Sequence, residues 1–476
     1  MTIPDPIFKS KLPQISWKKI YAREYGVSYS EGAILCLSPK FEYHIPKPSL
    51  DTIVIPEDNN TAFYIDSKSW EELVASLNKK YTSRLKTLKN YEQGFEKDGQ
   101  KYLSFARKIN ATNLAKLANK DLKNIYVNYQ DKLLRYSVYA WTSYILNNYI
   151  SETATKNINK YIEKHSEDEK QKIYNSLFHP TKKAAVLHLQ YQLHKTKNMS
   201  KQKVNDLYKK YKWLSCLDIH NNPWTKKEFE SHIKSLRISP LSPTISFRKI
   251  AKTLKISSPD LEYLLAAQRF VYIKDARDDY RRQSVFYALP LFAEIGNRIG
   301  IPRKDVSYLQ QAEIIEFLEG KIKISQNTIA QRKKRFIVYM GKNNKLICRE
   351  GDAISAILKK FKLGQEVEKK SGLTGMVASR GKAVGIVKIV RGVKDLKKVK
   401  HGEILVAITT HPDYVPAMRK AVAIITDEGG ITSHAAIVSR EFGIPCIVGT
   451  KHATSVLQDG NKIEVNAIDG KIKIYS

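Results

Sequence analysis

The chain has 476 residues, of which 42% are hydrophobic and 27% charged, and this favours two or three domains with substantial cores. Its four cysteines are far apart and show no paired spacing, which argues against a disulfide framework and against a zinc site. No apolar run reaches the length of a membrane span, and the first residues lack the pattern of a signal peptide. We therefore expect a cytoplasmic protein.

The net charge of +34 is the most unusual feature of the composition. One interpretation is binding to nucleic acid or another polyanion. The alternative is a codon bias, because Lys, Asn, Ile and Tyr are all abundant, as in an AT-rich genome. The basic residues are spread along the chain, and no zinc finger, RNA-binding aromatic motif or basic zipper is present. We do not expect specific binding to nucleic acid.

The beginning of the chain has a mixed pattern. Between residues 14 and 66, the short apolar runs Ala33–Leu37 and Thr52–Ile55 are broken by prolines and predict strands or loops. From Asp66 onward, apolar residues recur at three- or four-residue steps, which predicts a long amphipathic helix capped by Asp66 or Ser67.

Helical periodicity continues to about residue 236, with predicted breaks near Asn110, Ser151 and Pro180. The aromatic-rich segment Leu133–Ile150 predicts packing between helices, with a ligand-binding wall as the alternative. Beyond Pro240 and Pro243, the patterns predict helices over 244–257 and 259–299. The charged stretch Asp275–Gln283 is typical of a solvated helix face.

The composition and the apolar pattern change in the last part of the chain. Phe336–Met340 and Leu346–Arg349 predict a hairpin, followed by a short helix at 353–361 and a polar linker at 364–372. Beyond the linker, glycines are frequent and one helix, Ser433–Phe442, lies among short β-branched runs. These runs predict strands over Ala383–Val390, Ile404–Ile408, Ala421–Thr426, Ile444–Val448, Ile463–Val465 and Ile472–Ile474.

The sequence therefore predicts an α+β multidomain protein that is largely α-helical in its N-terminal and middle regions. We expect a mixed α/β segment at 1–66 and a mainly α-helical domain at 67–335, the candidate acceptor-binding region. A hairpin, short helix and linker follow at 336–372, and a compact α/β domain occupies 373–476.

One histidine in the last domain stands in a setting suited to phosphate chemistry. A predicted strand ends near Thr426, and Gly429 and Gly430 follow, where the backbone can turn sharply and stay open to a ligand. Thr432 or Ser433 can cap the next helix, which places His434 in its first turn. The free N–H groups and the dipole at a helix start bind phosphate and disfavour a protonated imidazole, so His434 should stay nucleophilic.

Two further interpretations remain open at this site. The alternative for His434 is a hydrogen-bonded histidine with no special role. Arg440, six residues further on, is a candidate supporting residue that can reach a phosphate, although we favour a structural pair for it.

The segment Gly-Gly-Ile-Thr-Ser-His-Ala-Ala-Ile-Val-Ser-Arg at 429–440 resembles the phosphohistidine signature of phosphoenolpyruvate (PEP) synthase, pyruvate phosphate dikinase, PTS enzyme I and rifampicin phosphotransferase. The resemblance extends through Gly402, Thr410, Pro412 and Gly443-Ile-Pro to cover essentially all of 373–476. It departs mildly at Cys446 and Ser439, where small aliphatic residues and Ala are usual.

The resemblance implies a swivelling β/β/α phosphohistidine domain. By the family pattern, His434 would carry the phosphoryl group, with Thr432 and Ser433 as supporting catalytic residues and Gly429 and Gly430 contacting phosphate. The resemblance implies a transferase of phosphorus-containing groups, and no metal site of its own is expected in this chain.

The donor and the acceptor have to be inferred separately. PEP-using members of this family carry an ATP-grasp domain and a TIM barrel, and neither is recognised in this chain. We expect no tightly bound cofactor, with Mg-ATP or PEP as donor through a separate ATP-grasp protein. Residues 15–320 resemble, in helix pattern and domain order, the middle domain of rifampicin-phosphotransferase-like proteins, which implies a small-molecule acceptor there.

Two other functions are consistent with the sequence. An unrecognised nucleotide site in this chain would make the protein autonomous. The chain could instead be a non-catalytic phosphohistidine carrier or regulatory module that binds a protein or a polyanion.

Overall fold

The computed structural model describes residues 15–41, 45, 50–57, 60–179, 182–195, 199–236, 246–341, 344–361, 363, 373–410, 414–430 and 433–475. The chain divides into two compact units that interleave along the sequence. Unit 1 contains 1–142, 213–223 and 277–365, and unit 2 contains 143–212, 224–276 and 366–476. Prolines 180, 240 and 243 and the predicted linker at 364–372 lie outside the described residues.

Unit 1 is built on an antiparallel sheet of five strands in the order β1-β3-β2-β4-β5. The hairpin predicted at 336–349 is confirmed, and its first strand pairs with β2. Strands from the beginning of the chain and from 336–350 therefore belong to one sheet. The strands are β1 Trp17–Arg23, β2 Thr52–Glu57, β3 Asn60–Asp66, β4 Phe336–Met340 and β5 Leu346–Glu350.

Helices fill most of the chain between and around these strands. In chain order they are α1 Val27–Leu35, α2 Ser67–Thr82, α3 Leu85–Ala111, α4 Asn119–Ile162, α5 Glu167–Leu177, α6 Ala185–Lys195, α7 Lys201–Tyr211, α8 Lys226–Leu236, α9 Phe247–Thr253, α10 Ser258–Ile299, α11 Gln311–Leu318, α12 Gln326–Lys334 and α13 Ala353–Phe361. Asp66 caps α2 as predicted, because its carboxylate accepts a hydrogen bond from the Ser69 N–H at 3.0 Å.

Three local predictions in these regions are wrong. The single long helix predicted from Asp66 is interrupted at residues 83–84, where α2 has ended and α3 has not begun. Ala33–Leu37 is not a strand or loop, because residues 33–35 end the buried helix α1. That helix is covered on most of its faces, so its sequence shows no apolar stripe. The break near Ser151 is also absent, and α4 runs through it. Ser151 is buried inside the helix, and its carbonyl accepts the hydroxyl of Thr155 at 2.7 Å.

The aromatic residues of α4 in unit 1 confirm the prediction of packing between elements. Tyr136, Tyr139 and Trp141 are buried. The ring of Tyr139 meets that of Tyr91 edge to face with centroids 5.2 Å apart, and Trp141 lies 4.7 Å from Phe63. Such pairs stabilise a core beyond the area they bury.

The charged stretch of α10 is not a solvated face, which corrects the prediction for Asp275–Gln283. Arg281 is 7% exposed and Arg282 3%. Arg281 donates to the hydroxyls of Tyr25 and Tyr29 and forms an ion pair with Asp278 at 3.0 Å. Burial raises the pKa of Asp278, but the charges of nearby arginines outweigh burial and hold it well below its usual range.

The C-terminal region of unit 2 is a sheet of eight strands in the order β6-β13-β12-β8-β9-β10-β11-β7. Strands β8, β9, β10 and β11 are parallel, and the flanking pairs are antiparallel. All six predicted strands are confirmed. The elements are β6 Leu373–Thr374, β7 Met376–Ser379, β8 Lys382–Val390, β9 Ile404–Ala407, α14 Val415–Met418, β10 Ala423–Thr426, α15 His434–Phe442, β11 Cys446–Val448, α16 Ala453–Val456, β12 Lys462–Asn466 and β13 Lys471–Tyr475.

The core of this region explains its short strand patterns. Val387, Ile404, Ile425, Ile447 and Ile463 come from five different strands and are completely buried in one cluster. The sequences of buried parallel strands are short continuous apolar runs, and this pattern predicted the strands here. The same parallel strands bring their carboxyl ends to one edge, where β10 leads into the segment that carries His434.

Candidate functional site

His434 is the first residue of α15. Ser433 caps this helix, since its hydroxyl accepts a hydrogen bond from the Ala436 N–H at 3.2 Å. The imidazole is partly exposed, whereas Ala435 and Ala436 behind it are buried. The histidine therefore stands at a helix start, where the helix dipole favours a negatively charged group.

The imidazole is oriented by a residue from a neighbouring strand. Its Nδ1 lies 2.9 Å from the hydroxyl oxygen of Thr410, which follows β9 and is 6% exposed. A threonine hydroxyl can donate or accept, so either tautomer of the imidazole fits this contact. When Thr410 accepts from Nδ1–H, the lone pair is on Nε2.

The loop that precedes α15 is fixed by backbone hydrogen bonds on both sides. The N–H groups of Asp427 and Glu428 donate to the carbonyls of Ala407 and Ile408 at 3.0 and 2.9 Å. Gly429 has a φ of +107°, and a Cβ there would lie 2.7 Å from the Ser433 Cβ. This position therefore requires glycine, because a side chain would collide with the helix cap.

A buried carboxylate holds the other side of the loop. Asp427 accepts hydrogen bonds from the hydroxyl of Thr450 at 3.0 Å and from the N–H and hydroxyl of Thr454. Burial raises the pKa of Asp427, and these hydrogen bonds act against the rise. The carboxylate thereby ties the end of β10 to α16.

The C-terminal end of α15 contains Arg440, nearly two turns from His434. The helix ends at Gly443, which has a φ of +66°, and the N–H of Ile444 returns to the Ser439 carbonyl at 2.9 Å. Arg440 donates to the Ala436 carbonyl at 2.9 Å and to the Asn175 side chain at 3.4 Å. Burial lowers its pKa to about 10. These contacts are those of a structural pairing.

Gly429, Gly430, Ser433 and His434 lie together as one loop and helix start. Thr432 lies outside the described residues. Sequence reasoning did not identify Thr410 as a site residue, although it lies within the resemblance to the phosphohistidine family. The family resemblance could have pointed to Thr410. A local pattern could not, because none links the end of a strand to a histidine 24 residues away.

In the part of the chain that the structure describes, no group of three or more His, Cys, Asp or Glu side chains is placed to hold a metal ion. Nor does any helix among those residues combine the length and apolar character needed to cross a bilayer.

Comparison with known families assigns this region. Residues 399–470 match the family described as "PEP-utilising enzyme, mobile domain". These residues form a mobile domain of this kind, and the C-terminal region at 373–476 that contains them is called the mobile domain below. The match includes Thr410, the glycine loop and the whole of α15, and it contains four of the eight strands of the sheet, β9 to β12.

Curated relatives match over the same part of the chain. A probable PEP synthase of Archaeoglobus fulgidus is 53% identical over 108 residues, which are 23% of this chain and 14% of that protein. The PEP synthase of Pyrococcus furiosus is 53% identical over 100 residues, 21% of this chain and 12% of that protein. An uncharacterized phosphotransferase of Bacillus subtilis, YvkC, is 43% identical over 111 residues, 23% of this chain and 13% of that protein. The chain thus spans about one seventh of the length of these relatives.

Among solved structures, the holo form of Thermococcus kodakaraensis aconitase X overlaps 22% of this chain and 100% of its own chain. The identity is 23% and the TM-score 0.19, which supports no statement about function.

Proposed function

We propose that this protein is a phosphotransferase component that carries a phosphoryl group on His434 and passes it to an acceptor. The single observation that carries the proposal is the setting of His434. The histidine lies at a helix start, follows a glycine loop and has its Nδ1 hydrogen-bonded to a threonine hydroxyl. The domain around it matches the mobile domains of PEP-utilising enzymes.

The proposed acceptor atom for the phosphoryl group is Nε2. With Thr410 accepting a hydrogen bond from Nδ1–H, the Nε2 lone pair attacks phosphorus, the donor's P–O bond breaks and its electrons leave with the oxygen. The dianionic phosphoimidazole then lies at a helix start, where the dipole stabilises it. Gly429 and Gly430 supply backbone without side chains beside that charge, and Thr432 and Ser433 remain proposed supporting residues.

The proposed donor is Mg-ATP, or PEP, bound by a separate protein of the ATP-grasp type. The match to PEP synthases is confined to about a fifth of this chain, which supports a donor site outside it. Mg²⁺ would belong with the nucleotide on that partner. The proposed acceptor is a small molecule bound upstream of the mobile domain.

Charging of the histidine tests the proposal. Purified protein is incubated with Mg-ATP or PEP, with and without a lysate of the source organism, and its intact mass is measured at neutral pH. We expect one acid-labile phosphoryl group that appears only with lysate. His434→Ala should fold normally and take up none, because a partly exposed histidine in a first helical turn contributes little packing.

Each other result changes a different part of the proposal. Labelling by Mg-ATP alone would place a nucleotide site in this chain and remove the need for a partner. A folded protein that stays unlabelled under every condition, or a His434→Ala variant that is labelled like the wild type, would contradict the proposed function.

A further inference from the structure

The segment that follows β11 in the mobile domain lies beside the glycine loop that leads to His434. Strands β9, β10 and β11 are parallel neighbours, so the segments that follow them meet at one edge of the sheet. Thr410 follows β9, the glycine loop at 427–430 follows β10, and residues 449–452 follow β11. Thr410 contacts His434 from the side of β9, and residues 449–452 are the matching segment on the side of β11.

Hydrogen bonds hold this second segment against the end of β10. The N–H groups of Thr450 and Lys451 donate to the carbonyls of Thr426 and Asp427 at 3.1 and 2.9 Å. The Thr450 hydroxyl adds contacts with the Thr426 carbonyl at 3.1 Å and with the Asp427 carboxylate at 3.0 Å. Lys451 is therefore fixed, through its own backbone, next to the residues that open the glycine loop.

Two glycines bring the backbones of the two segments into contact. A Cβ at Gly449 would lie 3.2 Å from the carbonyl oxygen of Gly429. Gly429 in turn lies against the side chain of Ser433, the residue before His434. A continuous line of contacts thus runs from the segment after β11 to the start of α15, and Lys451 stands two residues from one end of it.

The setting of Lys451 is unusual for an ordinary surface lysine. Its φ is +67°, a left-handed conformation that glycine and asparagine adopt more readily than lysine does. Its side chain is exposed and makes no ion pair or hydrogen bond with any residue that the structure describes. Neither backbone preference nor pairing with an acid therefore accounts for a lysine at this position.

A phosphoryl group on His434 needs more positive charge than the start of α15 provides. A phosphoryl group on a side chain carries nearly two negative charges at neutral pH, whereas a helix start supplies about half of one positive charge. Ammonium groups commonly supply the rest at sites that hold phosphoryl groups. Lys451 is a cation at the same edge of the sheet as His434.

We infer that Lys451 binds the phosphoryl group carried by His434 and stabilises it as an ion pair, which makes Lys451 a catalytic residue. This inference rests on the proposed function and adds a residue to it. The flexible four-carbon stem lets the ammonium group approach the phosphoryl oxygens. During charging, Nε2 forms the P–N bond while the donor's P–O bond breaks and its electrons leave with the oxygen. Lys451 stays protonated and pairs with the charge that arrives.

Chemical charging isolates this contact from the natural donor and acceptor. The full chain is charged with potassium phosphoramidate, which phosphorylates histidine with release of ammonia, and His434→Ala identifies the ³¹P resonance of phosphorylated His434. The pH dependence of that resonance gives the pKa of the phosphoryl group. Every protein in the titration carries His452→Gln, because this exposed neighbour of Lys451 would otherwise titrate in the same range.

Replacement of Lys451 tests the ion pair. Lys451→Asn suits the left-handed backbone and removes the charge. We expect it to raise the pKa of the phosphoryl group by at least about 0.5, because a nearby cation favours the dianion. Charging by lysate with Mg-ATP or PEP should slow about tenfold. Lys451→Arg keeps the charge and should stay close to the wild type in both measurements.

A matched control separates this contact from the general charge of the domain. Lys471→Gln removes another exposed lysine, in β13, and should change neither the phosphoryl pKa nor the charging rate. Thermal unfolding midpoints confirm that each variant is folded. Lys451→Gly, which the left-handed backbone also accepts, repeats the test if Lys451→Asn is unstable.

The two proposals fail in different ways. Wild-type protein that lysate and donor never charge on His434 would contradict the proposed function, and the titration of chemically charged protein would still test Lys451. A folded Lys451→Asn variant with the wild-type phosphoryl pKa and charging rate would overturn the role of Lys451. Equal effects of Lys451→Asn and Lys471→Gln would overturn it as well, because the cause would then be net charge.

Discussion

At the scale of single residues, the site is a histidine whose two nitrogens have different surroundings. Nδ1 faces the hydroxyl of Thr410 at 2.9 Å, and the ring stands at the first residue of α15. This hydrogen bond fixes the direction of the ring, and it leaves the lone pair on Nε2 when Thr410 accepts from Nδ1–H. Local sequence was enough to single out His434 as a candidate, but its partner Thr410 follows another strand and comes near only when the sheet is assembled.

Replacement of Thr410 should separate orientation from packing. Thr410→Val keeps the shape but removes the hydrogen bond, and we expect charging of His434 to slow about tenfold, corresponding to roughly 1.4 kcal/mol. Thr410→Ser keeps the hydroxyl and should stay within about threefold of the wild type. The rate of acid-labile phosphorylation measures both variants. Equal charging rates for Thr410→Val and the wild type would show that the Thr410 hydroxyl does not position the ring of His434.

At the scale of elements, the site depends on the loop between β10 and α15. Its two adjacent glycines have different environments. Gly429 combines a φ of +107° with the close approach to Ser433, whereas a Cβ at Gly430 would meet nothing within 4 Å. The sequence did not distinguish the two glycines, because a local pattern does not show which of them the backbone geometry requires.

This pair of glycines provides a matched test. Gly429→Ala should lower the free energy of unfolding by about 1–3 kcal/mol and reduce charging of His434, because the strained backbone must move the helix cap. Gly430→Ala should leave both quantities nearly unchanged. Urea denaturation followed by the charging assay compares them. Equal effects of the two substitutions would contradict the loop geometry described for Gly429.

The other end of α15 gives a pH-dependent prediction. Burial raises the pKa of Glu441 to about 7, while the charge of Arg440 acts to lower it. In the unfolded chain the pKa is about 4.3, so the folded state binds this proton more tightly. The stability contributed by protonated Glu441 is therefore present below about pH 4.3 and is lost as the pH rises through about 7.

Glu441→Gln should remove this loss. We expect the variant to exceed the wild type in free energy of unfolding by about 1–3 kcal/mol at pH 8, with a much smaller difference at pH 5. Denaturation of both proteins at the two pH values measures this. Glu163→Gln, at an exposed position of the helical region, serves as the control. A difference between Glu441→Gln and the wild type that is the same at both pH values would refute the assignment.

Elements with a regular pattern were predicted well, and those shaped by tertiary contacts were not. The strands of the mobile domain and α2 follow their apolar periodicity. Helix α1 shows no stripe because it is buried, and the charged stretch around Arg281 looked solvated because charged side chains usually are. Only the folded chain brings Tyr25, Tyr29 and Asp278 around that arginine.

At the scale of the whole molecule, the chain crosses between its two units several times. Strand β2 pairs with β4 from a distant part of the chain, and segment 213–223 belongs to unit 1 while its neighbours do not. No local pattern carries such pairings, so the sequence could suggest the elements but not their grouping. The mobile domain is the exception, because its family resemblance covers a continuous stretch.

The net charge of +34 leads to a prediction at the same scale. Spread positive charge attracts polyanions through counterion release, without reading a sequence. We expect binding to duplex DNA to weaken at least about tenfold between 50 and 200 mM NaCl and to be equal for unrelated sequences. Fluorescence anisotropy with two duplexes measures this. A clear preference for one sequence at 200 mM would favour a dedicated nucleic-acid site.

The most direct test of the account is to locate the phosphoryl group in the charged protein. Protein charged with lysate and Mg-ATP or PEP is digested at neutral pH, and the phosphopeptide is analysed by tandem mass spectrometry and by ³¹P and ¹⁵N NMR. We expect a single phosphoryl group on Nε2 of His434. A phosphoryl group on another residue, or on Nδ1 of His434 beside Thr410, would contradict the proposed function.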